Sequence, residues 1–214
     1  MAIIGMVSQK GGVGKSALAR ALATEAARAG LSVKVGDLDH GQGSTLDWHR
    51  DRVAAGVEPI VAVQLYRNAR DAIADADVDL LVLDGPARAD RETLEIAKLA
   101  DLVVQPTGAS RDDLRPAVRA FNSLAKGGVP VSRLLFVLTR IGTDAEAEAA
   151  RAYLEEAGYA VAPGFVPERP AYRSAQNEGR AITEIRYPSL RAGAEAVVQS
   201  IIDAAVAAAA TEEA

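Results

Sequence analysis

Two lysines five positions apart, Lys10 and Lys15, frame the run Lys10-Gly11-Gly12-Val13-Gly14-Lys15-Ser16. Glycines spaced in this way let a backbone wrap closely around phosphate oxygens, and its inward N–H groups form an anion nest. A lysine behind the turn can reach the β- and γ-phosphates of a nucleotide, and the hydroxyl after it can ligate Mg²⁺. At average composition such a heptad arises with a chance of roughly 10⁻⁷ per starting position, so an incidental Gly-rich turn explains it poorly. The run implies a nucleotide site built on Lys10, Gly11, Gly12, Val13, Gly14, Lys15, Ser16 and Ala17.

Two carboxylates could serve the same phosphates. Asp84 closes the apolar run Leu80–Asp84 and precedes Gly85-Pro86. It could hold Mg²⁺ beside Ser16, directly or through a water, or it could simply cap the following turn. Asp39 lies in Asp37-Leu38-Asp39-His40-Gly41-Gln42-Gly43-Ser44, where it is a site candidate or a turn residue. His40 and His49 read as solvent-facing, and Trp48 as a packing aromatic.

These side chains need strands to end beside them and a helix to start at Ser16. Short β-rich runs occur at Ile3–Val7, Ser32–Asp37, Ile60–Gln64, Leu80–Asp84, Leu102–Pro106 and Leu134–Thr139, with a weaker one near Tyr159–Ala162. Between them lie helical stretches at Ser16–Ala29, Leu46–Ala55, Ala69–Ala74, Arg91–Leu99, Asp113–Lys126 and Asp144–Ala157, and a last one from Ser189 towards Ala209. Such alternation predicts an α/β fold with a mostly parallel twisted sheet and helices on both faces. Ligands in such sheets sit beyond the carboxyl ends of the strands, where Asp37, Asp39 and Asp84 fall. One domain over residues 1–210 is expected, with a flexible tail at 211–214.

Composition narrows the chemistry further. There is no cysteine among 214 residues, which excludes disulfides, thiolate metal sites and iron–sulfur clusters and fits a reducing cytoplasm. No run approaches the ~20 apolar residues of a membrane span, and no signal peptide is apparent. A net charge of −5 means that any nucleic-acid contact must come from a local patch.

The phosphate-binding run departs from the ordinary G-x-x-x-x-G-K-[ST] loop. Gln9 stands where its first glycine would be, and Lys10 follows. In this the chain resembles, from end to end, the ParA/MinD family of P-loop ATPases. The resemblance implies ATP and Mg²⁺ as ligands and an ATP-bound sandwich homodimer. There Lys10 would contact the nucleotide of the partner subunit; its bland alternative is a solvated loop lysine. Lys10, Lys15 and Asp39 become the catalytic set, with Asp39 orienting the attacking water and, with Ser16 and Asp84, facing the metal. Gly85 to Asp90 would form a switch sensing the γ-phosphate. The base would be held near Thr139-Arg140 and by the run Phe165 to Arg169, hence by Arg140, Pro167, Glu168 and Arg169. Four positions depart from the family pattern: Ala17 replaces a common threonine, Gly85 a threonine or cysteine, Thr139 a nearby asparagine, and Gln42 stands one residue late.

Within the superfamily several branches fit badly. The absence of cysteine disfavours nitrogenase-type iron proteins, and a single loop disfavours duplicated arsenite-pump ATPases. The stretch after Arg191 carries no Lys or Arg, so the basic membrane helix of the MinD branch is not expected, nor is a membrane partner. Bacterial tyrosine kinases carry a C-terminal tyrosine cluster that is lacking here, and dethiobiotin-type synthetases usually lack the lysine matching Lys10. What remains is a small ParA-like ATPase without an N-terminal DNA-reading domain, which segregates or positions a plasmid, a chromosome region or a protein cargo. It would be nucleoid-associated and would answer to an unidentified ATPase-stimulating partner. Non-specific DNA contacts would fall on Arg169, Arg173, Arg180, Arg186 and Arg191: between Pro163 and Arg191 five arginines face three glutamates. An ordinary mixed-charge surface is the alternative. A metabolic ATP-dependent ligase or kinase is the competing function, and a membrane-cycling ATPase a third.

Overall fold

The computed structural model describes residues 1–41, 43–87 and 91–212. Its strands are β1 (Ala2–Ser8), β2 (Val33–Asp37), β3 (Ala62–Leu65), β4 (Leu80–Ala87), β5 (Leu102–Thr107), β6 (Leu134–Ile141), β7 (Ala160–Val161) and β8 (Val166–Pro167). They lie in the order β3-β2-β4-β1-β5-β6-β7, with β8 beside β6. Each of these pairings is parallel. The helices are α1 (Lys15–Arg28), α2 (Ser44–Ala54), α3 (Ala69–Ala74), α4 (Arg91–Leu99), α5 (Arg111–Lys126), α6 (Asp144–Glu156), α7 (Pro170–Asn177) and α8 (Pro188–Glu212).

Strand side chains alternate between two cores. Leu80 and Val82 of β4 join Leu18 and Leu22 of α1 and Val197 and Ile201 of α8. Leu81 and Leu83 face the other way, with Ile96 of α4, Phe121 of α5 and Leu154 of α6. Each such side chain contributes at most about 1.5–3 kcal/mol by leaving water. A strand covered on both faces must be apolar at every position, which is why β4 reads as an unbroken run. The α/β architecture expected from the alternation is the one observed.

β1 occupies the centre. The chain builds β2, β3 and β4 to one side of it and β5 to β8 to the other, which places the crevice at the carboxyl end of β1. The pairing of β1 with β4 slips between Met6 and Ser8, opposite Asp84 and Ala87. Gly85 lies in this slip. A Cβ there would stand 2.8 Å from Met6 O and 2.9 Å from Ile96 Cδ1, so the strands close on a position that admits no side chain. That contact accounts for the departure from threonine or cysteine.

Several boundaries differ from expectation. α5 starts two residues early because Ser110 caps it, accepting from the Asp113 N–H. β3 is displaced towards Leu65. Nothing in the sequence announced β8 or α7. α7 has no side-chain cap, and Pro170 at its start signals a turn as readily as a helix. α8 runs through Glu212, so residues 211 and 212, expected in a fraying tail, are helical. Residues 213 and 214 of that tail, Gln42, and residues 88–90 of the expected switch lie outside the described residues. Among the described residues no helix is long and apolar enough to cross a membrane.

Candidate functional site

β1 delivers the chain into a turn that α1 leaves. Gly12 and Gly14 take φ of +76° and +97°, the left-handed region that side chains disfavour. Gly14 is the residue before α1, and no side chain caps that helix. The N–H groups of its first turn therefore point towards an anion site, with the helix dipole behind them.

Lys15 turns inward and is only 7% exposed. Its Nζ lies 3.3 Å from Asp84 Oδ1. The other oxygen of Asp84 accepts from the Thr45 hydroxyl at 2.7 Å. Ser16 Oγ lies 3.4 Å from the Oγ of Ser44, the residue before Thr45. Loop, β4 and the start of α2 thus converge on Asp84.

Beside it, Asp37 is fully buried. Its Oδ2 accepts the N–H groups of Thr45 and Leu46, each at 3.1 Å, and its Oδ1 accepts from the Asp39 N–H at 3.0 Å. Burial and the nearby Asp84 charge push the Asp37 carboxyl up, against those three N–H bonds. Asp37 therefore fixes α2 and the turn before it. Sequence reasoning named Asp37 only as a strand end, and it missed Ser44 and Thr45.

This donor set fits Mg²⁺. Ser16, Ser44 and Thr45 offer hydroxyls and Asp84 a carboxylate, hard oxygens of the kind the ion prefers. Among the described residues no cluster of three or more His, Cys, Asp or Glu could hold a metal by itself. Mg²⁺ usually takes one or two carboxylates and completes its shell with water and substrate phosphates, so the sparse set is appropriate.

Lys10 behaves differently. Its side chain is 53% exposed and its Nζ reaches Asp113 Oδ1 at 2.5 Å. Asp113 is steadied by the Ser110 hydroxyl at 2.6 Å. Burial opposes ionisation of Asp113, but Lys10 and Ser110 outweigh it and hold the carboxyl below its usual range. Lys10, Val13, Ser110, Asp113, Arg140 and Glu146 border a cavity of about 450 Å³.

A second cavity, of about 340 Å³, also borders the loop. Gly12, Gly14 and Ala17 line it together with Arg140, Pro167, Glu168 and Arg169, the residues expected near the base. Arg140 takes a φ of +57°, uncommon for a residue with a side chain. Its Nε donates to Glu168 Oε2 at 2.8 Å, and Arg173 donates to Oε1 at 2.8 Å. The Arg140 bond holds the Glu168 carboxyl below its usual range against the pull of burial, with Arg173 assisting. The Thr139 hydroxyl is spent on Val13 O at 2.6 Å and braces the loop. Tyr172, Arg173 and Gln176 of α7 complete the wall. No local helical signal marks α7, so these three were not anticipated at this site.

Asp39 sits on the turn after β2, half-buried, with its Oδ1 accepting from the Gly41 N–H at 3.2 Å. Trp48 packs as expected. It is 2% exposed and its Nε1 donates to Arg180 O at 3.1 Å. His40 is exposed, whereas His49 is half-buried rather than solvent-facing, and burial and Arg52 lower its pKa. His49 sits on the side of α2 that turns towards Arg52, which its neighbours' polarity concealed.

The five arginines nominated for DNA are divided by the fold. Arg169 and Arg173 border the 340 Å³ cavity, the one at which a base is expected. Arg180 and Arg186 lie with exposed Tyr187 along a separate groove. Arg180 faces Glu178 and Arg191 faces Glu195, each at 3.7 Å. α7 causes the division, because Tyr172, Arg173 and Gln176 line one cavity while Ala171 and Ser174 line the other.

The sequence pattern of the CobQ/CobB/MinD/ParA nucleotide-binding domain matches residues 4–182. No curated protein matches the chain significantly. Three solved structures are similar in fold. The MinD protein of Pyrococcus horikoshii with Mg-ADP is 20% identical, with 94% of this chain and 95% of that one covered and a TM-score of 0.69. An ATP complex of a Cyanothece McdA variant is 20% identical over 94% and 96%, with a TM-score of 0.66. A ParA family ATPase from Chlorobium tepidum is 16% identical over 94% and 97%, with a TM-score of 0.70.

Proposed function

Because the chain belongs to the CobQ/CobB/MinD/ParA nucleotide-binding domain family, we propose that it is a slow Mg-dependent ATPase whose ATP state is a homodimer. The dimer would segregate or position a plasmid, a chromosome region or a protein cargo. The observation that carries this reading is the contrast within one loop: Lys15 is buried against Asp84, whereas Lys10 stands half exposed at the mouth. A cation so placed is available to a nucleotide held by a second copy.

In this reading Gly11 to Ala17 and Lys15 bind the phosphates, and Arg140, Pro167, Glu168 and Arg169 flank the base. Ser16 and Asp84 hold Mg²⁺, which supplies positive charge at the β- and γ-phosphates. Lys10 and Lys15 neutralise charge developing there, and Asp39 orients the attacking water. No arginine finger is assigned, which suits a slow timer.

Non-specific DNA binding is supported by Arg180, Arg186 and Arg191 more than by Arg169 and Arg173, which line the cavity. A nucleoid location in the cytoplasm and a stimulating partner protein complete the proposal. The competing reading is a metabolic ATP-dependent ligase or kinase built on the same loop.

Size measurement of the chain with Mg²⁺ and either ADP or a non-hydrolysable ATP analogue tests the switch. A dimer with the analogue alone, retained on DNA in a salt-sensitive manner, is the expected result. An unchanged size in both states favours the metabolic reading.

A further inference from the structure

Arg20 stands one helical turn beyond Ser16 on α1, so the two share a face. It is 8% exposed, and its guanidinium donates in three directions. Nε donates to Thr45 Oγ1 at 3.2 Å, Nη2 to Ser44 O at 2.6 Å and Nη1 to Gln176 Oε1 at 3.1 Å. The Thr45 hydroxyl donates in turn to Asp84, the carboxylate that faces Lys15. Gln176 belongs to α7 and lines the base-side cavity. One planar fork therefore touches the wall of that cavity, the Thr45 hydroxyl beside Asp84 and the Ser44 carbonyl.

The chemistry of the chain is directional. An arginine can only donate, and a hydroxyl has a single proton. Thr45 must accept from Arg20 if it is to donate to Asp84. The Gln176 amide must likewise present its oxygen to Arg20, which leaves its nitrogen to donate to Tyr172 O at 3.4 Å. Burial lowers the Arg20 pKa, while Asp84 and Asp37 raise it, so the cation also balances two buried carboxylates.

We infer that Arg20 is a positioning residue that couples occupation of the base cavity to assembly of the metal site. A base that settles Gln176 settles Arg20, and with it Ser44, Thr45 and the orientation of Asp84. This rests on the nucleotide-site reading above and extends it to residues that touch neither phosphate nor metal.

Coupling between two sites is reciprocal, so it can be read from affinities alone. The factor by which Mg²⁺ tightens binding is measured for ADP, which has a base, and for inorganic tripolyphosphate, which has none. Trp48 is the single tryptophan of the chain and lies 5.6 Å from the Arg20 guanidinium, so its fluorescence reports each titration. In the wild type the Mg²⁺ factor should be at least about fivefold larger for ADP than for tripolyphosphate. Arg20→Met should make the two factors equal. Gln176→Ala, on the half-buried outer helix, should do the same with Arg20 intact, and Arg20→Lys should retain part of the difference.

Equal losses for both ligands in Arg20→Met, or a Gln176→Ala variant with the wild-type difference, would overturn the inference. So would equal Mg²⁺ factors in the wild type. Should Arg20→Met not fold, the Gln176→Ala and Arg20→Lys titrations still decide. Failure of the switch itself looks different: a chain that binds Mg·ATP and never dimerises, whatever stands at position 20.

Discussion

The two sides of the phosphate loop are built to different rules. On the Lys15 side buried groups hold one another: Lys15 faces Asp84, Asp84 accepts from Thr45, and Thr45 also meets Asp37 and Arg20. On the Lys10 side one ion pair joins a half-exposed lysine to Asp113. Exposed pairs are worth little, about 0–1 kcal/mol, whereas breaking a buried one costs several. In the proposed reading the buried side would be a fixed receptor for phosphates. The exposed side is loosely held and can be redirected at small cost.

Lys15→Ala should break the comparison most severely. It leaves Asp84 buried without its lysine, and about 3 kcal/mol of stability should be lost in urea unfolding. Nucleotide affinity should fall by at least about tenfold in calorimetric titration, because a charged phosphate contact disappears as well.

The far end of α2 offers a control. Arg52 is fully buried and makes a bidentate pair with Glu184, which Arg28 also reaches. Glu184→Gln should cost about 3 kcal/mol, as Lys15→Ala does, yet leave Mg²⁺-free nucleotide affinity within about twofold. Burial opposes ionisation of Glu184, but Arg52 and the Ala181 N–H outweigh it and hold the carboxyl low. A lowered folded value means stability present above the unfolded pKa and lost as pH falls through the folded one. The variant should therefore be less stable than the wild type near neutrality, and the two should converge in acid. Unfolding midpoints across pH check this.

Asp113→Asn gives the smallest effect. It frees Lys10, so stability should change by less than about 0.5 kcal/mol. Dimerisation should need several-fold less of the ATP analogue, as light scattering against analogue concentration would show. A dimer that needs more analogue would mean that Asp113 guides Lys10 rather than restrains it.

The loop and its strands were legible because their signals are local. Glycine spacing, an apolar run ending in Asp84, and the helix after Ser16 all lie within a few residues of one another. The base-side cavity was half legible. Arg140, Pro167, Glu168 and Arg169 could be named, but Tyr172 and Gln176 depend on α7, whose start lacks a capping residue. Arg20 could not be found in this way. Its partners lie 25 and 156 residues away, and within α1 it reads as an ordinary surface arginine. Spacing also grouped five arginines that α7 then separates.

In the proposed switch Lys10 acts on a nucleotide held by another copy of the chain. Sedimentation of wild type and Lys10→Ala, each saturated with Mg²⁺ and a non-hydrolysable ATP analogue, tests it most directly. A wild-type dimer and a Lys10→Ala monomer, with equal analogue bound per chain, are expected. The same oligomeric state in both proteins would contradict it.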